Sequence, residues 1–152
     1  MIDNSPITIK MDQGNGSNVF DDALAIRKAV FVCEQGVLEQ NERDEWDQSS
    51  IHFVAYINDI PIATVRVCLF EESAKICRTA VLKEYRRRGI ATELCQHCIE
   101  HIKNREYPLV FLHSQTYIKS LYESLGFVSE GEEFLEENIP HVKMKKYLNK
   151  VV

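Results

Sequence analysis

The chain has 152 residues, enough for one domain that buries about 70% of its unfolded surface. Apolar residues make up 45% and charged residues 27%, and 18 basic against 23 acidic residues give a net charge of −5, which argues against the broad basic face of a nucleic-acid binder. Met1 to Lys10 has neither the basic start nor the apolar core of a secretory signal, and no apolar run approaches the about 20 residues of a membrane span, so a cytoplasmic protein without membrane contact is expected.

In chain order, Ile7 to Met11 predicts a short first strand and Asp12 to Asn18 a Gly/Asn/Ser turn. Asp21 or Asp22 can cap a helix running through Ala25, Ile26, Ala29 and Val30 to about Cys33, with Gly36 ending it. Glu39 to Ser50 is polar and acidic around the single Trp46, a loop or short helix edging a pocket. Ile51 to Ile57 and Ile60 to Phe70 are strands joined at Asn58-Asp59, a hairpin-type turn. Glu71 to Ala74 turns the chain into the strand Lys75 to Leu82, and a helix Gly89 to Lys103 follows. Leu109 to His113 reads as a buried strand. Ser114 or Thr116 can cap a helix to Leu125 that Gly126 stops, and Phe127 to Glu132 and His141 to Tyr147 finish as strands. This order predicts one α/β (α+β) domain over residues 1–152: a mixed, mostly antiparallel sheet of six to seven strands flanked by about four helices.

Five cysteines, an odd number, suit a reducing compartment better than a disulfide framework. Cys95 and Cys98 form a C-x-x-C beside His97 and His101, which raises a metal or redox site. At 100° per residue, however, Ile90, Ala91, Leu94, Cys95, Cys98, Ile99 and Ile102 share one half of the helix, and His97 points away. Packing thiols and no metal are therefore expected.

The chemistry concentrates in Tyr85 to Thr92, Tyr-Arg-Arg-Arg-Gly-Ile-Ala-Thr, between an apolar strand and a helix. A helix start offers unpartnered N–H groups and the positive end of the macrodipole. With three arginines and a glycine it makes an anion cradle suited to a diphosphate. Only Gly89 is present, so neither a dinucleotide G-x-G-x-x-G nor a P-loop fits. Arg86-x-x-Gly89-x-Ala91 instead resembles the acetyl-CoA signature of the GNAT superfamily of N-acetyltransferases. Tyr122-x-x-x-Gly126-Phe127 resembles that family's second hallmark. Val30-Phe31-Val32-x-Glu34-Gln35-Gly36-Val37, and Gly131 to Glu136 with Ile139-Pro140-His141-x-x-Met144, are similar to its small ElaA-like bacterial branch. Lys83, Arg87 and Ala91 stand where Pro, Gly and Gly are commoner.

The resemblance implies direct acetyl transfer from acetyl-CoA to an amine. It places the cofactor on Ala80, Val81, Arg86, Arg87, Arg88, Gly89, Ile90, Ala91 and Thr92, and it makes Tyr122 the acid that protonates the departing thiolate. Packing alone could also account for Tyr122, since Ile118, Leu121, Tyr122 and Leu125 share helical spacing. Candidate bases for the amine are Glu34, His52, His113, Glu133 and His141, with Glu34 favoured as catalytic and His141 placed toward the substrate because they lie in the branch-specific blocks. A covalent route through Cys33 or Cys77 is the less favoured alternative.

If the strands of Ile60 to Phe70 and Lys75 to Leu82 pair, Arg66 and Arg78 fall on one face with Val65, Val67, Cys77 and Thr79 on the other. Like charges so placed need an anion between them. Glu34 or a substrate carboxylate is the expected occupant, the latter making the acceptor a zwitterion such as an amino acid. Partners are then acetyl-CoA and an amine acceptor, with a homodimer the default assembly. An acyl-CoA-binding module that has lost catalysis is the alternative function.

Overall fold

The computed structural model describes residues 5–148. The ends of the expected domain, and the first part of the Met1 to Lys10 segment read for a signal, lie outside the described residues. Seven strands form one sheet: β1 (Ile7–Gln13), β2 (Ile51–Ile57), β3 (Ile60–Leu69), β4 (Ala74–Val81), β5 (Leu109–Gln115), β6 (Val128–Glu136) and β7 (Ile139–Tyr147). Their order is β1-β2-β3-β4-β5-β7-β6, and every neighbouring pair is antiparallel except β4 and β5. The helices are α1 (Asn18–Arg27), α2 (Glu39–Glu42), α3 (Ile90–Asn104) and α4 (Lys119–Ser124). The parallel step requires a crossover, and α3 supplies it.

β2 is buried along its whole length because both faces of the sheet are covered there. Val54 and Tyr56 pack with Ala23 and Ile26 of α1, while Phe53, Ala55 and Ile57 join the larger core with Leu94, Cys95, Cys98 and Ile102 of α3. The apolar half of α3 expected from its periodicity is the half that is buried, both cysteines included. The Asn58-Asp59 turn has φ of 52° and 67°, the left-handed pair that a two-residue hairpin needs.

Three helix ends differ from expectation. Ser17, not Asp21 or Asp22, caps α1 by accepting from the Phe20 N–H at 3.1 Å, and Asp22 accepts the Tyr56 hydroxyl at 2.6 Å instead. The helical path does reach Glu34, but from Lys28 it widens into a π-helix, Lys28–Glu34, before Gly36 at φ 78° ends it. β5 runs on through Ser114 to Gln115, and α4, entered through a 3₁₀ turn at Thr116–Ile118, has no side-chain cap.

Candidate active site

β4 and β5 pair only at Ala74–Ile76 against Val110–Leu112, and Cys77–Val81 has no partner on β5. The reason lies on the other edge of β4. Thr64 pairs with Ala80 and Arg66 with Cys77, so Arg78 and Thr79 together oppose Val65, with Arg78 at φ 54°. Such a bulge bends its strand and sharpens the local twist. The two strands part, and a cleft of about 640 Å³ opens between them, lined by β4, the end of β5, the π-helix and α4. Polar strand edge bordering a cleft at a parallel crossover is a favoured place for a ligand.

At one mouth stands the start of α3. Gly89 occupies the N-cap position at φ 76° without a side-chain cap bond, and its carbonyl accepts the first helical bond from Glu93 at 3.0 Å. The N–H groups of Ile90, Ala91 and Thr92 thus stand at the open end of the helix. A Cβ at Gly89 would meet nothing within 4 Å, so the space before these amides is clear. Arg86, Arg87 and Arg88 precede Gly89 in the chain. Arg88 donates to the Glu84 carbonyl at 2.9 Å and lies over the Tyr85 ring, and Arg87 is exposed at φ 64°. The donor set suits a diphosphate, and the β4 edge without a β5 partner from Cys77 to Val81, its Val81 carbonyl taken by Arg86, suits an extended amide-bearing arm. Arg86 is engaged otherwise: Nε donates to the Val81 carbonyl at 2.9 Å and the fork pairs with Glu34.

Tyr122, on α4, lines the same cleft and is buried, its ring edge-on to Phe127 at 5.9 Å. Burial pushes its phenol well above the ordinary value, the nearby Cys95 adding to this and a hydrogen bond with Thr79 opposing it. Thr79 belongs to the bulge, so the bulge and the phenol meet inside the cleft.

On the α1 face the cleft is polar. His113 Nδ1 lies 3.0 Å from Glu136, and Phe134 sits edge-on to His113 at 5.1 Å and stacked near His141 at 6.0 Å. Burial lowers the His113 pKa despite the Glu136 partner, which favours the neutral ring. His141 is buried with Nδ1 at 2.6 Å from the Ile139 carbonyl, and its Nε2 is 3.9 Å from Glu136. Of the other candidate bases, His52 is buried against the Asp47 carbonyl and Glu133 sits outward near Thr116.

Arg66 and Arg78 do share a face and an anion, but the anion is Asp44, not Glu34. Arg66 Nη1 reaches Asp44 Oδ1 at 2.6 Å and Arg78 Nη2 reaches Oδ2 at 3.2 Å. Arg66 also holds Asp47 at 2.9 Å, Arg78 holds Glu42 at 3.0 Å, and Arg27 joins both acids at 2.8 Å. Burial alone would raise the Asp47 carboxyl, but hydrogen bonds from Arg27 and Arg66 and their charges outweigh it and hold it at about 2. Three arginines and three carboxylates thus tie the Glu39–Gln48 segment to the sheet. This leaves Arg66 and Arg78 internal carboxylates as partners, which removes the reason for a zwitterionic acceptor. Cys77, expected opposite Arg78, turns to the same face because the bulge lets consecutive residues point together. Arg27, Glu42, Asp44 and Asp47 escaped the sequence reading, although Arg27 stands four residues after Ala23 on the buried stripe of α1, a position where only a paired charge survives.

The model for the acetyltransferase (GNAT) domain matches residues 17–148. A Bacillus subtilis protein named as an acetyltransferase is 37% identical over 82% of this chain and 86% of its own length. Escherichia coli ElaA is 27% identical over 81% of this chain and 84% of its own, and its crystal structure superposes with a TM-score of 0.82 over 91% of this chain and 99% of that one. A GNAT acetyltransferase from Elizabethkingia anophelis with acetyl-CoA bound shares the fold at 19% identity and a TM-score of 0.66, covering 93% and 97% of the two chains. The splayed β4/β5 sheet, the Arg86–Ala91 mouth and these relatives together identify an acyltransferase: the chain belongs to the GNAT acetyltransferase family.

Proposed function

We propose that the protein transfers an acetyl group from acetyl-CoA to a primary amine by direct attack, with Tyr122 assisting departure of the CoA thiolate. The observation that carries this is the meeting of three features on one cleft: the uncapped start of α3, the unpaired edge of β4 and the buried Tyr122 hydroxyl. The α3 amides from Ile90 to Thr92 and the arginines before them hold the diphosphate. The backbone of Ala80 and Val81 aligns the arm that follows. Glu34 gives up Arg86 as the diphosphate arrives, since both side chains are 36% exposed and can part in water.

A phenol kept protonated by burial always has a proton to offer. It donates a hydrogen bond as negative charge grows on sulfur, and the proton follows as the C–S bond breaks, although burial makes the phenol a weaker acid than the thiol. A lysine-like amine is neutral only about once in 2,500 molecules at pH 7, so its proton must go to a base. His113 fits that role better than Glu34. Burial favours its neutral form, its Nδ1 is oriented by Glu136, and it lines the polar α1 face of the cleft, the proposed acceptor side, together with His141. Glu34 sits at the cofactor mouth, and its hydrogen bond with Arg86 lowers its pKa for as long as the two are paired.

The test is release of free thiol from acetyl-CoA across a panel of primary amines. Acetyl transfer to at least one amine, slowed in Tyr122→Phe far more than CoA binding is weakened, supports the proposal. Tight CoA binding with no transfer to any amine would assign a binding module instead.

A further inference from the structure

The acceptor side of the cleft contains two thiols that acetyl transfer does not use. Cys68 of β3 and Cys77 of β4 are diagonal neighbours on antiparallel strands, Arg66 pairing with Cys77 and Cys68 with Lys75, and their sulfurs are 3.5 Å apart. Both line the cleft; Cys68 is otherwise buried and Cys77 half-buried. Arg66 Nε lies 3.2 Å from the Cys77 sulfur, and the Ser50 hydroxyl 3.3 Å from that of Cys68. Cys95 and Cys98 differ on every count: burial pushes the Cys95 thiol up to about 12 and raises Cys98 as well, and neither reaches the cleft lining.

A guanidinium against a sulfur is one means of creating a reactive thiolate. The Cys77 pKa is lowered by its hydrogen bond with Cys68 and, against the opposing effect of burial, by the Arg66 charge, with Arg78 adding to it, whereas that of Cys68 is raised. The arrangement puts a half-buried thiol of lowered pKa in contact with a second thiol, both on the lining of the cleft.

We propose that Cys77 is a modification site for peroxide-class oxidants, and that Cys68 resolves the product to a reversible cross-strand disulfide inside the cleft. The Cys77 thiolate displaces hydroxide from hydrogen peroxide and becomes a sulfenic acid, a two-electron oxidation of sulfur that reduces the peroxide. The Cys68 thiol then attacks that sulfur, an S–S bond replaces the S–O bond, and the Cys68 proton leaves with the hydroxyl as water. Closing the sulfurs from 3.5 Å to about 2 Å draws β3 and β4 together beside the bulge, where β4 can give. Arg66 loses its sulfur partner and the acceptor side changes shape.

Covalent mapping of the native chain tests this without any measure of acetyl transfer. Trypsin cuts after Arg66, Lys75 and Arg78, so the bridge appears as peptide 67–75 joined to 76–78. Brief hydrogen peroxide should yield that joined pair, and dithiothreitol should return the two free peptides. Without oxidant at pH 7, iodoacetamide should label Cys77 about tenfold faster than the exposed Cys33. In Cys68→Ser, Cys77 should stop at sulfenic or sulfinic acid with no joined peptide. Recovery of both peptides as free thiols after peroxide has consumed Cys33, or faster labelling of Cys33 than of Cys77, would overturn the proposal.

Discussion

Arg86 grips Glu34 with both prongs, Nη1 to Oε1 at 2.7 Å and Nη2 to Oε2 at 2.9 Å, while its Nε stays on the Val81 carbonyl. The residue expected to hold the cofactor and the residue expected to act as base are thus each other's partners across the cleft mouth. Removing the carboxylate should therefore alter cofactor binding rather than chemistry. Glu34→Gln is expected to change KM for acetyl-CoA while leaving kcat within about threefold and the acid limb of the pH–rate profile in place. Arg86→Ala should raise KM for acetyl-CoA about tenfold, the worth of one charged contact. A hundredfold fall in kcat for Glu34→Gln would restore it as the base.

Tyr122→Phe separates catalysis from packing. The ring still fills its place against Phe127, so thermal stability should fall by no more than about 1 kcal/mol, the net worth of one hydroxyl hydrogen bond. The kcat should fall about a hundredfold or more, within the usual range for a proton donor. Because burial raises the phenol above its ordinary value of about 10, Tyr122 should contribute no alkaline limb below that pH. Steady-state thiol release from pH 6 to 10 reads both effects, and equal kcat in the two proteins would reduce Tyr122 to a packing residue.

How far the sequence could be read depended on whether the signal was local. Strand periodicity, the Asn58-Asp59 turn and the apolar half of α3 depend on neighbours a few residues apart, and those elements stand where they were expected, except that the last two strands extend toward each other, to Glu136 and from Ile139. The bulge at Arg78 depends on how β4 meets β3, and nothing in Lys75 to Leu82 marks the extra residue. Its consequences, the placement of Cys77 beside Arg66 and the splay that opens the cleft, were equally hidden. The charge network was half visible: two arginines on one face demanded an anion, but Asp44 and Asp47 lie 22 and 19 residues from Arg66 and no spacing rule links them. The π-helix likewise carries no proline or glycine to announce it.

That network predicts an acid-sensitive stability. The folded pKa of Asp47, about 2, lies below its unfolded value of about 3.9. Its contribution is therefore fully present above about pH 4 and is lost as pH falls toward 2. Asp47→Asn leaves Arg27 and Arg66 buried with too little counter-charge, a change expected to destabilise by about 3–5 kcal/mol at pH 7. Urea midpoints at pH 7, 4 and 2.5 should show the gap between wild type and variant narrowing only at the lowest pH. A gap that is constant across all three would mean that Asp47 is not held as a charged partner.

Gly89 offers the sharpest test of where the diphosphate sits. At φ 76° a side chain is strained by roughly 1–2 kcal/mol, yet a Cβ there would touch nothing within 4 Å, so Gly89→Ala should fold with a modest loss of stability. Asn tolerates the left-handed conformation better than Ala, so Gly89→Asn should recover part of that loss. Both side chains intrude on the space before the α3 amides, and both should raise KM for acetyl-CoA. Stability and affinity thus separate: the first should follow the residue's backbone preference, the second its mere presence. If calorimetry finds CoA binding unchanged in both variants, the diphosphate does not lie on the amides behind Gly89, and the cradle must be sought elsewhere along the β4/β5 cleft.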